Sequence, residues 1–310
     1  MTARPATIDA HVHFTDFFQE TQGIERLLVE MRKAGVARAV IAGSPLTKTW
    51  DEREPNAPRN FLDDDSRLYY YSYTDAMLAS ALEQLNRKDR AAFAPLLCGF
   101  NPVDRFAIRH IERAYGAHPH LWKGIGEILC RHDDLTRLTE GDPPRPDHPA
   151  LSPVYAFAAE KNVPVLLHQN ITSPGSDRAN SYADELKRAL HTHPDTRFVW
   201  AHCGCSKRVH VTGHAEMVDE LLADYPNLFA DISWVIFDDV MMHGSIPDPS
   251  WVSVIERNNG RFCLGSDLNG TFDTYTEKMR RYRLFLDHLS DKARSDLLFG
   301  TASTLYFGEA

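Results

Sequence analysis

Eight short apolar segments recur along the chain, at 8–13, 36–42, 94–100, 121–127, 163–168, 197–202, 227–232 and 261–267. Stretches with helical spacing separate most of them, and this alternation confines the chain to an α/β fold on a parallel sheet. Between the first two, Ile24, Leu27, Leu28 and Met31 fall on one helical face that stops at Gly35. Further helices are expected at 74–90, 103–115, 152–161, 182–193, 214–225, 250–257, 274–289 and 292–306. The count of strands predicts a (β/α)8 TIM barrel, which carries its chemistry at the C-terminal strand ends. A doubly wound open sheet is the rival, but the Gly-rich phosphate loop it wants after the first strand is absent.

One stretch breaks the rhythm. Residues 44–72 hold prolines, charges, the run Asp63-Asp64-Asp65 and the triplet Tyr69-Tyr70-Tyr71. We expect a lid or insertion there, with the acidic run in a solvated turn and the tyrosines packed on the barrel. No internal repeat or second composition regime divides the chain, so residues 1–310 are expected to form one barrel domain.

The net charge of -9, from 43 acidic and 34 basic residues, argues against nucleic acid or an anionic membrane as partner. No apolar run approaches the ~20 residues of a membrane span. Met-Thr-Ala-Arg-Pro leads directly into the first strand without a signal-peptide core, so a cytoplasmic enzyme is expected, with a small molecule as partner. Homo-oligomerisation is compatible with this reading. Five cysteines, an odd number, predict reduced thiols, and Cys203-Gly204-Cys205 is too tight for a zinc knuckle.

The polar residues of the strands form a pattern. In Ile8-Asp9-Ala10-His11-Val12-His13, period-two alternation puts His11 and His13 on one face, close enough for both imidazoles to hold one metal ion. Asp9 shares their parity and is expected to orient a histidine from behind. Strand four ends in Glu127, strand five in His168, strand six in His202 and strand eight in Asp267. In a closed barrel these ends converge on one mouth, and histidines with carboxylates make a divalent-metal site.

IDAHVH, KGIGEI, LLHQ, WAHCG and LGSD resemble the landmarks of the amidohydrolase superfamily, especially its amidohydrolase-2 (Amidohydro_2) branch. The resemblance runs from Asp9 to the closing helix, and Gly-Ile-Gly-Glu also looks like the bridging-Glu strand of TatD-type deoxyribonucleases of that superfamily. It implies a metal-dependent hydrolase on a TIM barrel. His11, His13 and Asp267 would hold the more buried ion, Glu127 would bridge, and His168 and His202 would hold a second. Many binuclear members bridge instead with a carbamylated lysine. Lys123 has the right parity for that but lies four residues before Glu127, about 13 Å along a strand; Glu127 is the expected bridge, with Lys123 in the lower interior or an ion pair.

One or two ions of Zn²⁺ or a similar divalent metal would lower the pKa of a water toward ~7. Asp267 and His202 are then the expected catalytic residues, Asp267 as proton carrier and His202 as a group that polarises the scissile oxygen if only one ion is present. Substrate contacts are expected from Arg131, His132, Gln169, Asn170, Lys207, Arg208, Trp234 and Asn269 on the strand-end loops. The expected reaction is hydrolysis of an amide, lactone or ester bond in a small, anionic molecule. Alternatives are a single-metal decarboxylase of an aromatic or unsaturated acid and a small-substrate phosphoesterase.

Overall fold

Strand alternation sorts the side chains of this protein into an outer apolar layer and a barrel interior. The computed structural model describes residues 6–50, 56–60, 62–63, 67–176, 178–234 and 236–309. Its barrel strands are β1 (Thr7–His13), β2 (Val36–Ala42), β3 (Phe93–Leu97), β4 (Gly124–Cys130), β5 (Val165–Gln169), β6 (Phe198–Trp200), β7 (Leu228–Asp231) and β8 (Phe262–Cys263). Each pairs in parallel with its successor in chain order. The barrel is nearly closed. Ala10 N donates to Leu264 O (2.8 Å), Asp267 N to His11 O (2.7 Å) and His13 N to Leu268 O (2.8 Å), joining the segment around and after β8 to β1.

The helices α1 (Ile24–Ala34), α2 (Tyr73–Glu83), α3 (Ala107–Ala117), α4 (Ser152–Glu160), α5 (Ala183–Thr192), α6 (His214–Asp224), α7 (Pro249–Arg257) and α8 (Tyr275–Arg281) follow their strands. Leu27, Ile111, Leu186 and Val218 from this ring pack on outward strand residues such as Ile41, Leu97, Leu167, Phe198 and Leu228. Inside, Ile8, Ala10, Val40, Leu96, Leu166 and Val199 form an apolar floor, closed from below by Leu305 and Tyr306. Each such side chain contributes about 1.5–3 kcal/mol on full burial. The interior turns polar above this floor, and that level carries the site.

Several boundaries differ from the sequence reading. Strand four is Gly124–Cys130 rather than 121–127, so Glu127 is mid-strand. The cause is Trp122, which is buried in the outer layer with its indole Nε1 donating to Ala114 O at 3.1 Å. Lys123 is exposed just before β4, not in the lower interior. Strand six stops at Trp200, leaving His202 in a turn with φ 55°, and strand eight stops at Cys263, leaving Asp267 in a loop with φ 52°. The helix expected over 74–90 is interrupted because Asn86 caps a separate short helix, Arg87–Arg90, through Asp89 N. The stretch over 274–306 is broken into short helical pieces.

In the 44–72 segment, Leu46–Lys48 pairs antiparallel with Leu68–Tyr70. Leu46 and Leu68 pack on Leu129 and Leu135, with Tyr70 and Phe17 at the edge, whereas Tyr69 is exposed. Asp63 accepts from Arg59 N and Asn60 N, while Asp64 and Asp65 lie outside the described residues.

The turn of Glu127 into the barrel depends on Gly126. Ile125 and Ile128 both face outward, three residues apart rather than two, and the register with β5 shifts between them. Gly126 takes φ +126°, and a Cβ there would lie 2.2 Å from Leu166 O. Gly126→Ala is therefore expected to cost about 3 kcal/mol or more, by backbone strain and overpacking together. Urea denaturation should show this drop, while Gly175→Ala, with nothing within 4 Å, should be close to neutral. Equal midpoints for the two variants would contradict the account.

Candidate active site

The polar level is built from β1 outward. An irregular register between Asp9 and Val12 breaks the alternation, so Ile8 and Ala10 face the floor yet His11 and His13 also face the interior. Their Nε2 atoms lie 3.2 Å apart. Glu127 Oε2 is 3.8 Å from His11 Nε2 and 3.4 Å from His13 Nε2, and Asp267 Oδ1 is 3.5 and 3.3 Å from the same two atoms. The other carboxylate oxygens face the other histidines. Glu127 Oε1 is 3.1 Å from His168 Nδ1 and 3.6 Å from His202 Nε2, and Asp267 Oδ2 is 3.7 Å from His202 Nε2.

The far side of each ring fixes its protons. Gly43 O can only accept, so His13 Nδ1–H donates to it at 2.8 Å. Asp231 Oδ2 lies 3.0 Å from His11 Nδ1 and accepts its proton. Ser233 Oγ donates its single proton to Asp231 Oδ1 at 2.6 Å, so it accepts from His202 Nδ1–H at 2.8 Å. With Nδ1–H so engaged, each of the three imidazoles in its neutral form presents Nε2 to the centre, oriented by an acceptor behind it, as metal-binding histidines are. Donors about 2.1 Å from one tetrahedral ion stand about 3.4 Å apart, and the spacings of 3.2–3.8 Å from the two Nε2 atoms to each other and to the carboxylates lie around that value. The residues fit a divalent metal with nitrogen and oxygen ligands, such as zinc. His168 is turned differently: Nδ1 meets Glu127, and Nε2 is 3.1 Å from Asn170 Oδ1. As a ligand it would use Nδ1, the nitrogen that faces the centre, while Nε2–H is donated to Asn170 Oδ1.

Burial alone would lower the His13 pKa, but hydrogen bonds to Asp267 and Glu127 raise it to about 9. His11 is raised as well, because the charges of Asp267, Asp231 and Glu127 outweigh burial. Burial pushes those three carboxyls up, yet the neighbouring imidazoles, His11 first, hold all of them below the usual carboxylate range. A divalent ion entering the cluster therefore displaces protons. The folded-state pKa of His13 lies above the unfolded value of 6.5. Its stabilising contribution is complete below 6.5 and is lost as pH rises through about 9. The metal-free protein should lose stability between pH 6.5 and 9, and the zinc-loaded protein should not. Urea midpoints across that window check this, and a metal-free midpoint that rises with pH would contradict it.

A cavity of about 170 Å³ opens above the cluster, lined by His13, Glu127, His168, His202 and Asp267 together with His132, Lys207, Trp234 and Asn269. Of the residues expected on the rim, Asn170 meets His168 and does not line the cavity, and three others point elsewhere. Arg131 is engaged by Glu185 (Nε to Oε2, 2.9 Å) and lies over the Tyr182 ring at 4.3 Å. Arg208 Nε donates to Asp134 Oδ1 at 2.7 Å on the half-exposed outside. Gln169 follows the inward His168, so alternation turns it toward the helices, where its amide donates to Tyr182 O at 3.1 Å. Asp9 orients no imidazole; it accepts from His11 N, Ser266 N and Ser266 Oγ at the barrel closure. His132 Nδ1 accepts from Asp134 N and Leu135 N, both at 3.1 Å, and burial holds its pKa well below the imidazole range.

Sequence reasoning missed Asp231 and Ser233. The available signal was in Asn227-Leu228-Phe229-Ala230-Asp231-Ile232, where Asp231 shares the inward parity of Phe229.

Solved structures share this architecture at low identity. The 2,6-dihydroxybenzoate decarboxylase from Rhizobium superposes with a TM-score of 0.61, at 13% identity over 99% of this chain and 100% of that one. A candidate 2-pyrone-4,6-dicarboxylic acid hydrolase from Pseudomonas putida gives a TM-score of 0.59, at 16% identity over 99% and 100%. A zinc-bound amidohydrolase from Burkholderia multivorans gives 0.56, at 15% identity over 97% and 99%. At these identities the likeness concerns the fold. No curated protein matches the chain in sequence. The sequence profile of the amidohydrolase family (Amidohydro_2) matches residues 130–308, over half of the chain and the part that supplies His168, His202, Asp231 and Asp267. This chain belongs to the amidohydrolase-2 family of metal-dependent TIM-barrel enzymes.

Proposed function

We propose that the protein is a metal-dependent hydrolase that cleaves an amide, lactone or ester bond of a small molecule. The observation that carries this reading is the split of Glu127: Oε2 faces His11 and His13, and Oε1 faces His168 and His202. A carboxylate so placed can serve two ions. His11, His13 and Asp267 would hold one, and His168 and His202 the other. Zinc or a similar divalent metal, when bound, supplies the Lewis acidity that lowers the pKa of water and polarises a substrate oxygen.

The chain's own groups supply the rest. Asp267 is the most accessible carboxylate of the cluster, its side chain 12% exposed against 5% for Glu127 and 0% for Asp231. It can take the proton of an attacking water and return it to the leaving group. Asp231 and Ser233 keep the His11 and His202 rings from turning, so their Nε2 atoms stay aimed at the centre. Decarboxylation would call for an arginine at the open side of the ion; among the described residues none lines the cavity, Arg131 being engaged by Glu185 and Arg208 by Asp134 at the cavity's edge. Ser44, Pro45, Asn60 and Leu62 line the mouth. We therefore assign the described part of the 44–72 segment as a cover over the site, in a chain read as one barrel domain, 1–310. Among the described residues, no helix is long and apolar enough to cross a membrane.

Two measurements test the reading. Purified protein should bind about two equivalents of zinc, falling to about one in Glu127→Gln and staying unchanged in Lys123→Ala. His11→Ala with His13→Ala should lose most of it, and full retention would remove the proposed centre. Asp267→Asn keeps the shape but removes a base. On an ester and lactone panel, its turnover should fall by about 10²–10⁴, and near-wild-type rates would refute the proton role.

A further inference from the structure

We propose that His132 is a fixed hydrogen-bond donor, whose Nε2–H receives the acyl oxygen of the bond that is cleaved. The proposal rests on the hydrolase reading above and adds the group that meets developing charge on the substrate.

The argument is proton bookkeeping in a confined loop. His132 Nδ1 accepts from two backbone N–H groups, those of Asp134 and Leu135, each at 3.1 Å. A backbone N–H can only donate, so Nδ1 carries a lone pair and the proton of the neutral ring is on Nε2. Moving that proton to Nδ1 would break both hydrogen bonds donated by those backbone N–H groups. The ring lines the mouth cavity beside Glu127, His168 and Asp267, and Nε2 has no partner among the described residues. His132 can therefore offer a hydrogen there but cannot accept one, which separates its role from that of Asp267.

The ring is also held in place before any substrate arrives. It stacks on His168 with centroids 4.6 Å apart and planes 24° from parallel, and Trp234 flanks it at 6.2 Å. Thr136 Oγ1 donates to His132 O at 2.8 Å. The following residues clamp its loop to the loop after β6: Ser206 Oγ donates to Asp133 Oδ2, and Arg208 Nε donates to Asp134 Oδ1 at 2.7 Å. The arginine expected to bind substrate thus braces the loop that presents His132. A donor immobilised in a water-poor pocket stabilises charge without reorganising, and loss of one such donor costs about 10²–10³ in kcat. No proton leaves Nε2. As the water oxygen bonds to the acyl carbon, the carbonyl π pair moves onto its oxygen, and the hydrogen bond strengthens.

Two experiments decide it. In protein carrying ¹⁵N-labelled histidine, the His132 resonances are those lost in His132→Gln; Nδ1 should show the shift of an unprotonated ring nitrogen and Nε2 that of a protonated one. The opposite assignment overturns the proposal, and this arm needs neither turnover nor an ion. In the zinc-loaded protein, methylphosphonate serves as a tetrahedral probe in titration calorimetry. His132→Phe should weaken its binding by about 10-fold or more at unchanged zinc content. His132→Gln, whose amide N–H can replace Nε2–H, should stay within about 3-fold of wild type. Unchanged binding in His132→Phe, or equal loss in both variants, overturns the proposal. Failure of the wild type itself to bind methylphosphonate counts against the hydrolase reading, whereas a reversed tautomer counts against His132 alone.

Discussion

The carboxylate of Asp231 is the interaction on which the site's geometry depends. It is fully buried at the end of β7, where removing a charge from water costs several kcal/mol unless it is paired and hydrogen-bonded. Here one oxygen takes His11 Nδ1–H and the other takes His202 N, Ser233 N and Ser233 Oγ. Strands β1, β6 and β7 are thereby tied at one point, and two imidazoles acquire a single tautomer. His13 reaches the same state through Gly43 O at the end of β2. Ring orientation is thus set by groups that never face the cavity, which leaves the inward nitrogens free for whatever enters it.

This arrangement works because the barrel interior is divided by height. Below, Ile8, Val40, Leu96, Leu166 and Val199 fill the cross-section and exclude water from the floor. Above, the same inward positions are polar: His168 stands two residues after Leu166, and Asp231 two after Phe229. A polar group one step lower would lie in the apolar plug without partners, and one step higher it would reach the open mouth. The irregular registers of β1 and β4 adjust this height. They bring His11 with His13, and Glu127, to the level that the other strands reach by plain alternation.

The fold and the inward ligand candidates were legible because both follow from period-two alternation and from strand ends, which are local properties. Gln169 was misjudged for the same reason in reverse: its neighbour His168 faces in, so it faces out. Arg131 and Arg208 illustrate a different limit. Their positions on the strand-end loops were read correctly, but their directions depend on Glu185 and Asp134, partners 54 and 74 residues away. Asp231 offered a signal in its inward parity with Phe229, but its role depends on the distant His11 and on Ser233, which it meets only in the fold. The extent of strand four was misplaced because Trp122 looks like a strand residue yet packs toward the helices.

The charges of the centre give a reason for it to take up metal. Asp9 is raised by burial and spends its bonds on Ser266 and His11 N, closing the barrel rather than facing the cavity. The remaining carboxyls, Glu127, Asp231 and Asp267, are all held low and so carry charge. Two imidazoles, His11 and His13, are raised and can answer two of those charges by holding protons. His202 also faces Asp231 and Asp267 and helps to hold them low, and Lys278 stands toward Asp267 and Asp9. In a low-dielectric interior three carboxylates are costly unless cations stand beside them, and protons on the imidazoles are one answer. A divalent ion held by this His and carboxylate cluster would replace both protons and bring positive charge to the same carboxylates. The same carboxylates that hold protons on these imidazoles therefore favour a metal in their place.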